Sequence, residues 1–215
     1  MLPVFGESLR NLRFRRQDHA HVQVEVWRIK LLRRSRVVVC SVLSDYLRCA
    51  PDDVRLGSNP FGKPELLEPR AQGPLEFSVS HCEGHCLIAV SLGGVVGVDI
   101  ERRRLIGNMD RIASVYFTPA EARTIAGLQD DQKLDAFFAC WTSKEAYTKA
   151  LGTGLSTPLE MFAFPPSSLN ARNNSCTTIK GREWTVSRFE PWPGYTAAVV
   201  VEGRLSSSAF KINDG

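Results

Sequence analysis

No stretch of this 215-residue chain approaches the about 18 uninterrupted apolar residues that a helical membrane span requires. The N-terminal residues also lack the apolar run of a secretory signal. A soluble, cytoplasmic protein is therefore expected, with no membrane partner. Zinc-finger spacing, an aromatic RNA-reading signature and a long basic run are all missing, so nucleic acid is not expected as a partner either. No internal repeat is visible. An apolar fraction of 43% with 23% charged residues is ordinary for a globular domain, and the length suits one large domain or two small halves.

Cysteine is present but not patterned. The run His81-Cys82-Glu83-Gly84-His85-Cys86 has the residue types of a zinc box. Structural zinc sites, however, draw ligand pairs from two separated segments, and Cys40, Cys49, Cys140 and Cys176 are scattered. Glu83-Gly84 reads instead as the turn between two strand-like runs, 77–82 and 86–92, with Cys82 and Cys86 as small, reduced hydrophobes on them. Net charge is only +4 but uneven. Residues 1–36 carry Arg10, Arg13, Arg15, Arg16, Arg28, Lys30, Arg33, Arg34 and Arg36 against Glu7, Asp18 and Glu25. A solvated basic arm and a head that attracts phosphates or an acidic protein are both compatible with this.

The most informative run is Gly97-Val98-Asp99-Ile100-Glu101. Apart from its acids it is apolar, so it reads as a strand in a buried sheet. Period-two geometry sends Asp99 and Glu101 to one face, and Val98 and Ile100 to the other. Two carboxylates held together on a core strand repel, so one protonates or a cation sits between them. Oxygen ligands of this kind suit magnesium, whose remaining positions go to water and phosphate oxygens. A third acid follows. Over 131–151, Leu134, Phe137, Phe138 and Trp141 recur at helical steps, and Glu145 and Lys149 continue that inward stripe. A metal beside Glu145 and a phosphate beside Lys149 would satisfy both charges. The alternative is a solvated Glu–Lys pair at the helix end.

The rest of the chain reads as α+β. A strand is expected at 22–30, a helix at 36–47, a Pro- and Gly-rich loop at 57–74, and strands at 77–90 and 95–100 turned at Gly93-Gly94. Thr118-Pro119-Ala120-Glu121 has the form of a capping box opening a helix to about Gly127, and Gly152 is the expected stop of the long helix. Strands return at 177–179, 184–189 and 196–201. The expected division is a basic arm and first strand at 1–34, a first α+β half over 35–105 and a second over 106–215, with the boundary near 105–111.

Asp99-Ile100-Glu101 after Gly97-Val98, with Trp141-Thr142-Ser143-Lys144-Glu145-Ala146 and Lys149 at this distance, resembles the Sfp-type 4′-phosphopantetheinyl transferase family. Phe61-Gly62-Lys63-Pro64, Phe77-Ser78-Val79-Ser80-His81, Gly152-Thr153-Gly154-Leu155-Ser156 and Pro193-Gly194-Tyr195 resemble further family segments in the family's order, over about 35–201. The resemblance implies two similar α+β halves packed as a pseudo-dimer with the active site in the cleft between them. It implies transfer of phosphopantetheine from coenzyme A to a serine of an apo carrier protein, an acidic helical domain, by a protein expected to be a monomer. Asp99, Glu101 and Glu145 match the family's ligands for Mg2+ (or Mn2+). Glu145 is also the best candidate to take the serine proton, directly or through a metal-bound water, with metal ligation alone as the alternative, and Lys149 matches the lysine on the diphosphate. Ser80 and His81 match the pair near the coenzyme's 3′-phosphate, and Gly62, Lys63 and Pro64 the segment bordering the adenine.

One departure stands out. The helical segment that in the family precedes the 36–47 helix and grips the 3′-phosphate is missing or displaced. Residues 12–16 are a candidate relic, and Arg33, Arg34 or Arg36 are candidate substitutes. A catalytically degenerate member that binds coenzyme A or carrier protein without transfer is the alternative function.

Overall fold

Apolar alternation builds two four-stranded sheets, as seen in a computed structural model that describes residues 22–30, 35–69, 71, 73–164, 174–205 and 209–215. Arg10, Arg13, Arg15, Arg16, Arg33 and Arg34, and with them the 12–16 run, lie outside these residues. The strands are β1 (Gln23–Lys30), β2 (Arg55–Ser58), β3 (Pro64–Glu68), β4 (Leu75–Cys82), β5 (His85–Leu92), β6 (Val96–Arg102), β7 (Ser175–Ile179), β8 (Arg182–Phe189), β9 (Tyr195–Glu202) and β10 (Phe210–Asp214). The helices are α1 (Ser35–Leu47), α2 (Met109–Tyr116), α3 (Pro119–Ala126) and α4 (Asp130–Leu151). One sheet has the order β10-β1-β5-β4, the other β6-β9-β8-β7, and β2 and β3 form a hairpin of their own. No helix among the described residues is long and apolar enough to cross a membrane.

The two sheets face each other across one core. Val24, Val26, Leu87 and Ala89 of the first pack against Val98, Ile100, Ala197 and Val199 of the second. On its other face the first sheet is covered by α1, through Val39, Val42 and Leu43 against Trp27, Phe77 and Ile88. The outer face of the second is covered by the C-terminal part of α4, through Ala146, Tyr147 and Ala150 against Trp184, Val186 and Ala198. The fold is α+β, as the order of elements implies.

Contact between α4 and β6 is unusually close because Gly97 has no side chain. A Cβ there would lie 1.8 Å from the Ala146 carbonyl oxygen and 2.5 Å from the Ala150 nitrogen. Helix α4 ends where expected, at Gly152 with φ 68°, a left-handed cap that glycine adopts without steric cost. The capping box of α3 also forms. Thr118 Oγ1 accepts from the Glu121 N–H, and the Glu121 carboxylate accepts from the Thr118 N–H at 2.9 Å.

That same carboxylate has a second partner. Lys144, fully buried in α4, places Nζ 2.9 Å from Glu121 Oε2. It also donates to the Leu159 carbonyl at 2.7 Å and to the Phe162 carbonyl, and lies over the Phe162 ring. Every ammonium proton therefore has an acceptor, which a buried charge requires. Lys144 of the Trp141–Ala146 motif is thus a structural cation tying α3 and the 159–162 turn to α4.

Four features depart from the sequence reading. The expected loop 57–74 contains the β2–β3 hairpin, whose short strands are masked in sequence by Gly57, Pro60, Gly62 and Pro64. Helix α2, where the sequence reading places only a boundary between halves, carries Met109, Ile112, Ala113 and Tyr116 at helical steps. Strand β10 runs parallel to β1 at the end of the described chain, clipped there by Arg28 Nε donating to Asp214 Oδ1 at 2.8 Å. Finally, sheet membership crosses the boundary expected near 105–111. Strand β6 hydrogen-bonds to β9 of the second sheet, and β10 returns to the first. Asp99 and Glu101 therefore sit on a strand of the second sheet instead of closing the first.

Gly97→Ala should destabilise the protein by about 3 kcal/mol or more, because neither backbone atom facing the new methyl can move independently. Denaturant unfolding measures this. Lys144→Met should cost about 3–5 kcal/mol by leaving Glu121 charged and buried. Combining it with Glu121→Gln should restore part of the loss, a non-additivity that a double-mutant cycle reads directly.

Candidate functional site

The pleat of β6 does what its alternation dictates. Val98 and Ile100 point into the core between the sheets, while Gly97 and Asp99 face α4. With α4 drawn onto Gly97, residues one turn apart along the helix reach Asp99. Lys149 Nζ lies 2.7 Å from Asp99 Oδ1. Asp99 is only 4% exposed, and its other oxygen, Oδ2, is buried with no hydrogen-bond partner among the described residues.

Two further carboxyls feel this charge. Burial pushes the Glu145 carboxyl above the ordinary glutamate range; the charge of Asp99 adds to the rise and Lys149 opposes it. Glu101 is raised in the same way, by burial first, then by Asp99, with a smaller contribution from Glu145 and opposition from Lys149 and Arg104. The three acids singled out in the sequence are thus electrostatically coupled at one place. As they lie, no three His, Cys, Asp or Glu side chains among the described residues are gathered closely enough to hold an ion. The ammonium of Lys149 faces Asp99 instead.

Strand β4 closes the edge of the site. Its alternate side chains face the free edge of β6 and supply it with acceptors that a neighbouring strand would otherwise provide. The Val98 N–H donates to Ser78 Oγ at 3.1 Å and the Ile100 N–H to Ser80 Oγ at 3.4 Å. The Arg102 backbone hydrogen-bonds to Cys82, whose Sγ lies 4.0 Å from Glu101 Oε2. Ser80 also donates to Asp99 Oδ1 at 3.0 Å and accepts from Lys149 Nζ at 2.8 Å.

The pleat of β4 separates the two side chains of the expected Ser80–His81 pair. Neighbouring strand residues point to opposite faces, so Ser80 is buried against β6 while His81 is exposed on the other side. The zinc-box types are divided by the same pleat. His81 pairs in register with Cys86 on one face, and Cys82 with His85 on the other. The His85 ring packs at a tilt against Trp192 and Tyr195, with centroids 4.5 Å from each.

Beside the acids opens a cavity of about 220 Å³. The hairpin contributes Phe61, Gly62, Lys63 and Pro64, β4 contributes Ser78 and Val79, and α4 contributes Glu145, Thr148 and Lys149. Asn59, which the sequence reading passed over, shapes its wall. Its Oδ1 accepts from the N–H groups of Phe61 and Lys63, each at 2.9 Å, and its Nδ2 donates to the Gly152 carbonyl at 2.7 Å. An Asn just before Pro60-Phe61-Gly62 is the available signal for such a turn. Lys63 Nζ donates to the Ala150 carbonyl at 3.0 Å and lies 3.5 Å from Glu76, so this side chain holds the hairpin to the end of α4. Arg36, a candidate for the 3′-phosphate, donates to the Leu56 carbonyl at 2.7 Å. Thr196, the register partner of Glu101 on β9, is fully buried, and its hydroxyl has no partner among the described residues.

The donor set fits a hard divalent cation. It is all carboxylate, it includes a buried oxygen with no partner among the described residues, and burial with the charge of Asp99 raises the proton affinity of Glu101 and Glu145, which a bound cation would oppose.

Similarity to known proteins follows the same residues. The family model of the 4′-phosphopantetheinyl transferase superfamily matches residues 95–200, which carry Asp99, Glu101, Glu145 and Lys149. The chain is 32% identical over 169 residues to the 4′-phosphopantetheinyl transferase HetI of Nostoc sp., covering 78% of this chain and 69% of that protein. It is 33% identical over 168 residues to the 4′-phosphopantetheinyl transferase ffp of Bacillus subtilis, covering 76% and 70%. Against the 4′-phosphopantetheinyl transferase Sfp of Bacillus subtilis it is 31% identical over 128 residues, covering 59% and 54%. Matches of this extent, running through the β6 acids and the α4 Glu–Lys pair, establish that the chain belongs to the 4′-phosphopantetheinyl transferase superfamily.

Proposed function

We propose that the protein transfers the 4′-phosphopantetheine group of coenzyme A to a serine hydroxyl of an apo carrier protein, releasing 3′,5′-ADP, in a reaction that depends on Mg2+ or Mn2+. One observation supports this reading: Glu145 and Lys149 line one cavity, the Lys149 ammonium meets Asp99 beside it, and Asp99, Glu101 and Glu145 are coupled by charge. Asp99, Glu101 and Glu145 would hold the ion, which when bound neutralises the diphosphate and polarises the phosphorus under attack.

The chain's own groups supply the rest. Lys149 lines the cavity and carries the positive charge on the non-metal side of the diphosphate. Gly62, Lys63 and Pro64 border the coenzyme through their backbone, since the Lys63 ammonium is engaged by α4. His81, exposed on the α1 side of β4, is the candidate among the described residues to meet the 3′-phosphate. Glu145 takes the proton of the attacking serine. The serine oxygen bonds to the pantetheine-bearing phosphorus, and the bond from that phosphorus to the bridging oxygen breaks, so 3′,5′-ADP leaves with that oxygen. Arg102 and Arg104, both exposed next to Glu101, suit an acidic carrier.

Incubation of the protein with coenzyme A, Mg2+ and an apo carrier should add the phosphopantetheine mass to the carrier, read by mass spectrometry. Asp99→Ala should abolish the gain, and Lys149→Met should lower kcat by about 10²–10³-fold. No gain on any of several carriers, with coenzyme binding retained, would leave the degenerate alternative standing.

A stability test needs no substrate. Because the folded-state pKa of Glu145 is raised, ionising it opposes folding above the ordinary glutamate pKa, and protonating it removes that penalty. In chelator, Glu145→Gln should therefore raise the unfolding midpoint at neutral pH. The advantage should shrink as pH falls through the raised carboxyl range, in a series of melts between about pH 5 and 8. Adding Mg2+ should stabilise the unsubstituted protein more than the variant.

A further inference from the structure

Ser80 has no hydrogen-bonding capacity left for a substrate. A hydroxyl offers one donor and two lone pairs, and all three are committed. Its O–H donates to Asp99 Oδ1 at 3.0 Å, and its oxygen accepts from Lys149 Nζ at 2.8 Å and from the Ile100 N–H at 3.4 Å. The residue is 4% exposed, and its neighbour His81 takes the solvent-facing position.

The consequence falls on Asp99. Torsion about the bond to a carboxylate is soft, so with Lys149 as its sole partner the plane of the Asp99 carboxylate could swing about that one contact. Ser80 restricts that swing. It is fixed to the backbone of β6 one residue beyond Asp99, and with Lys149 it saturates Oδ1. Oδ2 is then the oxygen left buried without a partner. The same hydroxyl gives the Lys149 ammonium a second contact and so sets where that charge sits relative to the carboxylate.

The structure assigns Ser80 as a positioning residue: it orients Asp99 so that Oδ2 faces the divalent cation, and holds Lys149 beside Oδ1, without itself touching coenzyme or metal. This rests on the reading of Asp99 as a metal ligand given under the proposed function. It gives Ser80 a different task from the 3′-phosphate contact that the family resemblance implies.

The test uses the full chain with Mn2+ as probe and two kinds of readout. Mn2+ binding to the coenzyme-free protein, followed by electron paramagnetic resonance, should weaken about 10–100-fold in Ser80→Ala, as for the loss of a group that orients a ligand. The near-isosteric Ser80→Cys, whose thiol is a poor donor, should show the same loss with the fold retained, and Ser80→Thr should bind within about 3-fold of the unsubstituted protein. His81→Ala should leave Mn2+ binding unchanged. In transfer assays the preference for coenzyme A over 3′-dephospho-coenzyme A should be unchanged in Ser80→Cys and reduced in His81→Ala. Unaltered Mn2+ affinity in both Ser80→Ala and Ser80→Cys overturns the inference, as does a Ser80→Cys enzyme that no longer distinguishes the two coenzymes. A protein that binds no Mn2+, or whose Mn2+ site survives Asp99→Ala, overturns it too. Failure of transfer with the Mn2+ results as expected would instead count against the proposed function alone.

Discussion

Everything at the site depends on how closely a helix can approach a strand. Helix α4 lies on β6 at backbone contact, a distance that only a residue without a side chain permits, and Gly97 is that residue. The approach fixes the height of the helix over the strand. It therefore decides that Lys149, a long flexible side chain, meets Asp99 two residues along β6 and not solvent. The helix is held from its other side as well. The buried ammonium of Lys144 is bound by Glu121 and by two carbonyls of the 159–162 turn, so a helix carrying site residues on one flank is locked by an ion pair on another.

A second constraint comes from the edge of a sheet. Strand β6 is paired by β9 on one side only, and its outward N–H groups would otherwise be orphans. Serine hydroxyls at alternate positions of β4 take them, so two sheets that share no backbone ladder are stitched together by side chains. Those hydroxyls differ from a backbone carbonyl in one respect: each still has a proton to give. At Ser80 that proton goes to Asp99, and the joint between sheets becomes part of the electrostatics of the site.

The hairpin β2–β3 shows how the cavity wall is attached. Asn59 and Lys63 both bond to carbonyls at the end of α4, the groups that a helix leaves without partners. Gly152 is needed twice over, for its left-handed backbone and because a Cβ there would lie 2.8 Å from Asn59 Nδ2. One helix terminus thereby places the hairpin, Lys149 and the cavity together.

Local chemistry alone determined much of this protein. The pairing of the β6 acids with Glu145 and Lys149 rests on the family resemblance, but the alternation in 97–101 set Asp99 and Glu101 on one face of a strand, the capping box placed α3 and the helical stripe placed α4. These were legible because period, cap and charge are properties of neighbours in the chain. Tertiary structure alone decided that β6 belongs to the second sheet, that β10 pairs in parallel with β1, that Ser80 turns inward while His81 faces solvent, and that Lys144 is a buried structural cation beside Glu121. Each of these depends on partners 15 or more residues away, on which edge of a strand stays free, and on how near two backbones come. No short window of sequence carries that information.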